Sequence, residues 1–127
     1  MSEAGRVLVI DDDDSIRTVV CDALLCEGYV AVGARNGAEA LDLLFQAWEA
    51  QPDVILLDMR MPTLDGWKFV EAYRVLPVRQ APIVVMTAAR RAEDRAAEVQ
   101  ADGVLAKPFD LGDLLERVYQ ARRRQAA

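Results

Sequence analysis

Pro52-Asp53-Val54-Ile55-Leu56-Leu57-Asp58-Met59-Arg60-Met61-Pro62-Thr63-Leu64-Asp65-Gly66 joins an apolar run to a loop through one aspartate. Val54 to Leu57 is apolar without a break, so neither face of this short run is meant for water. Such a run reads as a strand covered on both sides, the habit of parallel sheets. Pro52 opens the strand, Asp58 stops it, and Pro62 and Gly66 punctuate the loop that follows. The same design occurs at the start of the chain. Val7-Leu8-Val9-Ile10 is apolar and ends at four aspartates, Asp11 to Asp14. Two buried strands that both stop at carboxylates place negative charges side by side at one sheet edge. Crowded carboxylates lose hydration and repel, which is costly unless a cation or a proton neutralises them.

Outward from these runs, strand and helix patterns alternate. Strands are expected at Arg6–Ile10, Tyr29–Gly33, Asp53–Leu57, Ile83–Met86 and Val104–Ala106. Between them, apolar residues recur at helical spacing. Ile16, Val19, Val20, Ala23 and Leu24 form one stripe, with Asp13, Asp14 or Ser15 available as N-cap and Gly28 as the left-handed stop. Leu41, Leu44, Phe45 and Trp48 form a second, after a turn at Asn36-Gly37. Phe69, Val70 and Tyr73 turn inward from a helix over Gly66–Leu76. Arg91–Gln100 is a weaker helix, and Leu111, Leu114, Leu115 and Val118 mark the core face of a closing one. Right-handed crossovers between parallel strands then fix an α/β doubly wound sandwich. The strand order 2-1-3-4-5 makes the two strands with the most acidic ends neighbours.

The bulk numbers agree and narrow the function. A chain of 127 residues is one domain with room for a core. With 53% apolar residues and few aromatics it suits a compact α/β domain rather than a disordered chain. A net charge of −6 argues against nucleic-acid binding by the domain as a whole. Arg122-Arg123-Arg124 reads as the complement of a helix dipole. No run nears the ~20 apolar residues of a membrane span, and Met1–Gly5 does not resemble a signal peptide, so a cytoplasmic protein is expected. Cys21 and Cys26 point to different sides of one helix, a poor geometry for a disulfide, and read as small packing residues. The absence of histidine removes His-based metal sites and His-activated nucleophiles.

In an open parallel sheet, ligands sit at the carboxyl ends of the strands. There this chain places Asp11 and Asp12, Asp58, Thr87, and Lys107 followed by Pro108. Hard oxygen ligands suit Mg²⁺. Asp58 is the nucleophile by position, since a carboxylate can accept a phosphoryl group covalently. Thr87 can donate a hydrogen bond to a phosphoryl oxygen, and Lys107 can pair with another. The Lys107-Pro108 bond is a candidate cis peptide.

The strings VLVIDDDDSIR, PDVILLDMRMPTLDGW, IVVMTA and VLAKPF carry a resemblance that covers essentially the whole chain. The chain resembles a receiver domain of a two-component response regulator, of the single-domain chemotaxis type, with a flavodoxin-like sheet. The resemblance implies phosphorylation at Asp58 and a Mg²⁺ site made by Asp11, Asp12, Asp58 and the Arg60 carbonyl, with Asp11 acting mostly through water. It implies that Thr87 and Lys107 bind the phosphoryl group, and it leaves Asp13 and Asp14 for capping. The donor is expected to be a histidine kinase or histidine phosphotransfer protein, and the downstream protein partner to dock on the face of the fourth helix, fifth strand and fifth helix. No membrane partner is expected, and the protein is expected as a monomer or weak dimer. If residues 1–127 are the full length, output is by protein contact; if not, an effector domain follows Arg124.

One departure from the family pattern stands out. Many members carry Tyr or Phe three residues before the lysine, where this chain has Val104. The coupled threonine–aromatic switch is therefore expected to be reduced. Arg60 and Ala89 occupy the positions that tune phosphoryl lifetime in the family, and Ala88 leaves room for a donor. Trp67 is a packing residue or part of a docking face. The expected protein modifies itself and dephosphorylates slowly but is not an enzyme acting on a separate substrate. Two alternatives stand beside this reading. A Mg²⁺-dependent aspartyl-phosphate phosphohydrolase needs a second aspartate where Arg60 stands. A receiver-fold binding module would act without phosphorylation.

Overall fold

Every residue of Val54–Asp58 is buried, and this strand lies in the middle of a five-stranded parallel sheet. The computed structural model describes residues 5–46, 50–61, 64–88, 90 and 92–126. In chain order the elements are β1 (Arg6–Ile10), α1 (Asp14–Cys26), β2 (Val30–Ala34), α2 (Gly37–Gln46), β3 (Val54–Asp58), α3 (Gly66–Arg74), β4 (Ile83–Ala88), α4 (Ala92–Val99), β5 (Gly103–Lys107) and α5 (Leu111–Ala126). The sheet order is β2-β1-β3-β4-β5, with every pairing parallel.

Alternation along the central strands divides the core in two. Leu8, Ile10, Ile55, Leu57, Ile83 and Val85 face Ala40 and Leu44 of α2, Phe69, Val70 and Tyr73 of α3, and Val99 of α4. Val7, Val9, Val54, Leu56, Val84 and Met86 face Val20 and Leu24 of α1 and Leu114, Val118 and Ala121 of α5. Tyr73 is fully buried and stacks on Phe69 with ring centroids 5.7 Å apart. Its hydroxyl accepts from Ala81 N–H at 2.6 Å and donates to the Arg79 carbonyl at 3.3 Å, so no polar atom of the ring is stranded.

Helix starts follow capping chemistry. Asp13 is the N-cap of α1, its carboxylate accepting from Ile16 N–H at 3.0 Å. Asn36, expected only as a turn residue, accepts from Glu39 N–H at 2.8 Å at the start of α2. Asp65 caps α3 through Lys68 N–H. Gly28 has φ 90° just after α1, as its place in the pattern requires.

Three sequence expectations need correction. Phe45 is 69% exposed and Leu111 43% exposed, so neither belongs to the core. Each lies at the rim of its helix's apolar stripe, where Leu44 and Leu114 take the buried position. Cys26 is exposed at the end of α1 and lies outside the core, while Cys21 is partly buried against it. Strand and helix ends differ from expectation by a residue or two, ordinary fraying. β4 runs on through Thr87 to Ala88, and α3 stops at Arg74. Trp48, Ala89 and Arg91 lie outside the described residues. No helix is long and apolar enough to cross a membrane among the described residues.

Candidate functional site

The register brings the acidic strand ends together. Ile10 pairs with Leu57, so Asp11 and Asp58 leave neighbouring strands at the same level. Asp58 pairs with Met86, which places Thr87 one residue further along β4, and Ala88 pairs with Lys107. Asp11, Asp58 and Thr87 are buried, whereas Asp12 and Arg60 are exposed.

Carboxylate oxygens of Asp11, Asp12 and Asp58 all lie within 4.8 Å of one another. Lys107 Nζ reaches into this group, donating to Asp11 Oδ2 at 3.0 Å and standing 3.8 Å from Asp58 Oδ1. Two backbone N–H groups add to the hold. Asp13 N–H donates to Asp11 Oδ1 at 2.9 Å, and Arg60 N–H donates to Asp58 Oδ1 at 3.3 Å. Each aspartate thus bends the chain over its own carboxylate two residues on. The loop after Asp58 is shaped by Gly66, whose N–H donates to the Met59 carbonyl at 3.1 Å. A Cβ on Gly66 would sit 2.8 Å from Met59 Cα, so only glycine lets the start of α3 approach this closely.

Asp58 is pushed up to about 7, first by burial and then by the negative charge of Asp11, against the pull of Lys107 and of Arg60 N–H. One ammonium faces three carboxylates. Their donor set is all hard oxygen, with no thiolate or imidazole near, which matches Mg²⁺ rather than a softer metal. A cation among them would relieve the repulsion that raises Asp58.

The candidate positions therefore sort cleanly by place. Asp11, Asp12, Asp58 and Lys107 converge, and Thr87 lies buried on the adjoining strand. Asp13 and Asp14 turn away to the start of α1, where Asp14 pairs with Arg17. Trp67, half-buried, donates from Nε1 to Glu98 at 2.9 Å and lies under Arg95 with 4.9 Å between guanidinium and ring centroid. It ties α3 to α4 and keeps part of its ring at the surface. Val104 is half-buried on β5 opposite Val85. Sequence reasoning passed over Arg17, which donates to the Asp11 carbonyl at 2.8 Å.

The sequence matches the family model for the response regulator receiver domain over residues 7–119. The chain belongs to the response regulator receiver family. The receiver is 40% identical over 124 residues to the transcriptional regulatory protein PrrA of Mycobacterium leprae, covering 96% of this chain and 52% of that protein. It thus spans about half the length of the curated relatives it matches first. Among solved structures, the chemotaxis response regulator CheY4 of Vibrio cholerae is 34% identical with TM-score 0.81, covering 93% of this chain and 98% of that one. The response regulator protein TrrA of Thermotoga maritima, solved in complex with Mg²⁺-BeF, is 30% identical with TM-score 0.78, covering 92% and 98%. This receiver is therefore a component of two-component signalling, with the family's fold and an acidic cluster at the expected edge.

Proposed function

We propose that the protein is a phosphorylation-dependent switch in which Asp58 accepts a phosphoryl group from a phosphohistidine on another protein. The donor is a histidine kinase or a histidine phosphotransfer protein, in keeping with a phosphohistidine that lies outside these 127 residues, which contain no histidine. The observation that carries the reading is the meeting of three carboxylates within 4.8 Å beside an ammonium 3.8 Å from Asp58.

In the step itself, an Asp58 carboxylate oxygen attacks phosphorus, the phosphorus–nitrogen bond of the donor breaks, and the imidazole leaves. The products are an acyl phosphate on Asp58 and a free histidine. Only ionised Asp58 can attack, yet at about 7 the metal-free group is half protonated near neutrality. Asp11, Asp12, Asp58 and the Arg60 carbonyl would hold Mg²⁺. That ion, when bound, supplies positive charge to the transferring oxygens and keeps Asp58 ionised. Lys107, freed from part of its pairing with Asp11, stabilises a phosphoryl oxygen as a point charge. Thr87 donates to another from the next strand. Arg60 N–H keeps Asp58 aimed outward.

Phosphorylation then shifts a local equilibrium that a protein partner reads on the face of α4, β5 and α5. With Val104 in place of an aromatic, that shift runs through α4 more than through a rotating ring on β5. The relatives named as transcriptional regulators fit a longer protein in which a further segment delivers the output. The receiver itself turns over no separate substrate.

Incubation with Mg²⁺ and acetyl phosphate or phosphoramidate tests this. The expected result is one acid-stable, base-labile phosphoryl group per chain by intact mass, absent in Asp58→Asn. Rapid turnover of phosphate esters would favour a hydrolase. No uptake, with no response to Mg²⁺ or beryllofluoride, would favour a module that works unphosphorylated.

A further inference from the structure

Arg17 lies in the first turns of α1 with its side chain only 17% exposed. One guanidinium nitrogen donates to the Asp11 carbonyl at 2.8 Å, and another pairs with Asp14. Its aliphatic stem lies across Gly33 of the edge strand β2. A Cβ built on Gly33 would stand 3.0 Å from Arg17 Cδ, 3.1 Å from Cγ and 3.4 Å from Nε. Glycine within a strand weakens it, because it adds chain entropy and packs nothing. Here its bare backbone makes the channel through which Arg17 reaches the aspartate loop.

Asp11 is consequently fixed at every polar atom. Its N–H donates to the Ala34 carbonyl at 3.1 Å, Oδ1 accepts from Asp13 N–H at 2.9 Å, and Oδ2 accepts from Lys107 at 3.0 Å. Arg17 takes the remaining atom, the carbonyl. That carbonyl belongs to the peptide unit joining Asp11 to Asp12, so the guanidinium sets the orientation of the peptide from which Asp12 projects. Asp12 is the exposed carboxylate of the cluster, so its direction depends on the peptide that carries it.

We propose that Arg17, seated on Gly33, is a positioning residue that presets the Asp11–Asp12 peptide for binding a divalent cation. It touches neither the ion nor the phosphoryl group. The inference rests on the Mg²⁺ site proposed above. Residues one step behind metal ligands usually contribute at least about tenfold to metal affinity.

The test is calorimetric titration of MgCl₂ into the folded wild type, Arg17→Met, Arg17→Lys, Gly33→Val and the Arg17→Met/Gly33→Val double variant. Arg17→Met is expected to weaken Mg²⁺ binding about tenfold. Arg17→Lys, which keeps the charge and one donor, falls between it and the wild type. Gly33→Val leaves Arg17 in the chain but displaces it, and it reproduces the Arg17→Met loss. The double variant is no weaker than either single one, because both remove the same brace. In the metal-free proteins, hydrogen exchange at Asp13 N–H is faster in all the weakened variants. Wild-type affinity in Arg17→Met overturns the inference while leaving the metal site intact. Additive losses overturn it too, since they mean that Gly33 and Arg17 act separately. No Mg²⁺ binding by the wild type removes the site reading and this inference together.

Discussion

Replacing Asp58 by Asn in metal-free protein should stabilise the fold near neutrality and do nothing in acid. The Asp58 carboxyl, ordinarily at 3.8, is raised to about 7 in the folded chain. Below about pH 4 both the folded and the unfolded chain carry the proton, and the full benefit of a neutral buried group is present. Between there and about pH 7 the unfolded chain has released it while the folded one has not, so stability falls as pH rises. Above about pH 7 the folded group ionises as well and the loss levels off. Each pH unit of the gap is about 1.4 kcal/mol, so a gap of about three units sets a ceiling near 4 kcal/mol. Water reaching the site and movement of Lys107 lower this to about 2–4 kcal/mol. Asn keeps the shape and can still accept from Arg60 N–H, so it should recover most of that amount. For a domain of this size the gain corresponds to a rise in Tm of roughly 6 °C or more. The assay is urea or thermal unfolding of both proteins in EDTA across this pH range. A variant no more stable than wild type at about pH 8 would show that the folded carboxyl ionises without cost. A difference that does not shrink as the pH is lowered would show that its ionisation is not the cause.

Other expectations follow from single contacts. Lys107→Met removes the ammonium that lowers Asp58, so the Asp58 carboxyl should titrate above about 7 by carbon-detected NMR; an unchanged midpoint would mean that the 3.8 Å pair has no electrostatic weight. Tyr73→Phe strands the buried Ala81 N–H and should cost about 1–3 kcal/mol in urea unfolding; a neutral result would show that water or the loop replaces the hydroxyl. Val104→Tyr should change the ratio of partner affinities between phosphorylated and unphosphorylated protein, and an identical ratio in both variants would remove position 104 from signal transmission.

The sheet was legible because its inner strands are apolar on both faces. Val7–Ile10 and Val54–Leu57 admit no solvent-facing side, so their central, parallel placement followed from the residues alone. The candidate site was legible for the same reason, since the carboxylates stand where those runs end. Helix rims were harder to read. Spacing marks an apolar stripe but not its width, so Phe45 and Leu111 read as core although both face solvent. Spacing also offered Asp13, Asp14 and Ser15 as equal caps, and backbone geometry selected Asp13. Contacts between distant segments left no local trace. Lys107 and Asp11 are 96 residues apart; their strand ends put both at one sheet edge, but that the ammonium bonds Asp11 at 3.0 Å and stands further from Asp58 is set by packing alone. Arg17 carries no local signal of its role because its placement depends on Gly33, and neither residue signals the other until α1 lies across β2.

Reductive trapping of the phosphorylated protein with borohydride, followed by peptide mapping with Mg²⁺ present or chelated, reads which carboxylate carries the phosphoryl group. A carboxylate cluster arranged around one reactive oxygen predicts that the reduced residue is Asp58 alone, and that chelation abolishes the label. Label at Asp11 or Asp12, or uptake undiminished by chelation, would contradict it.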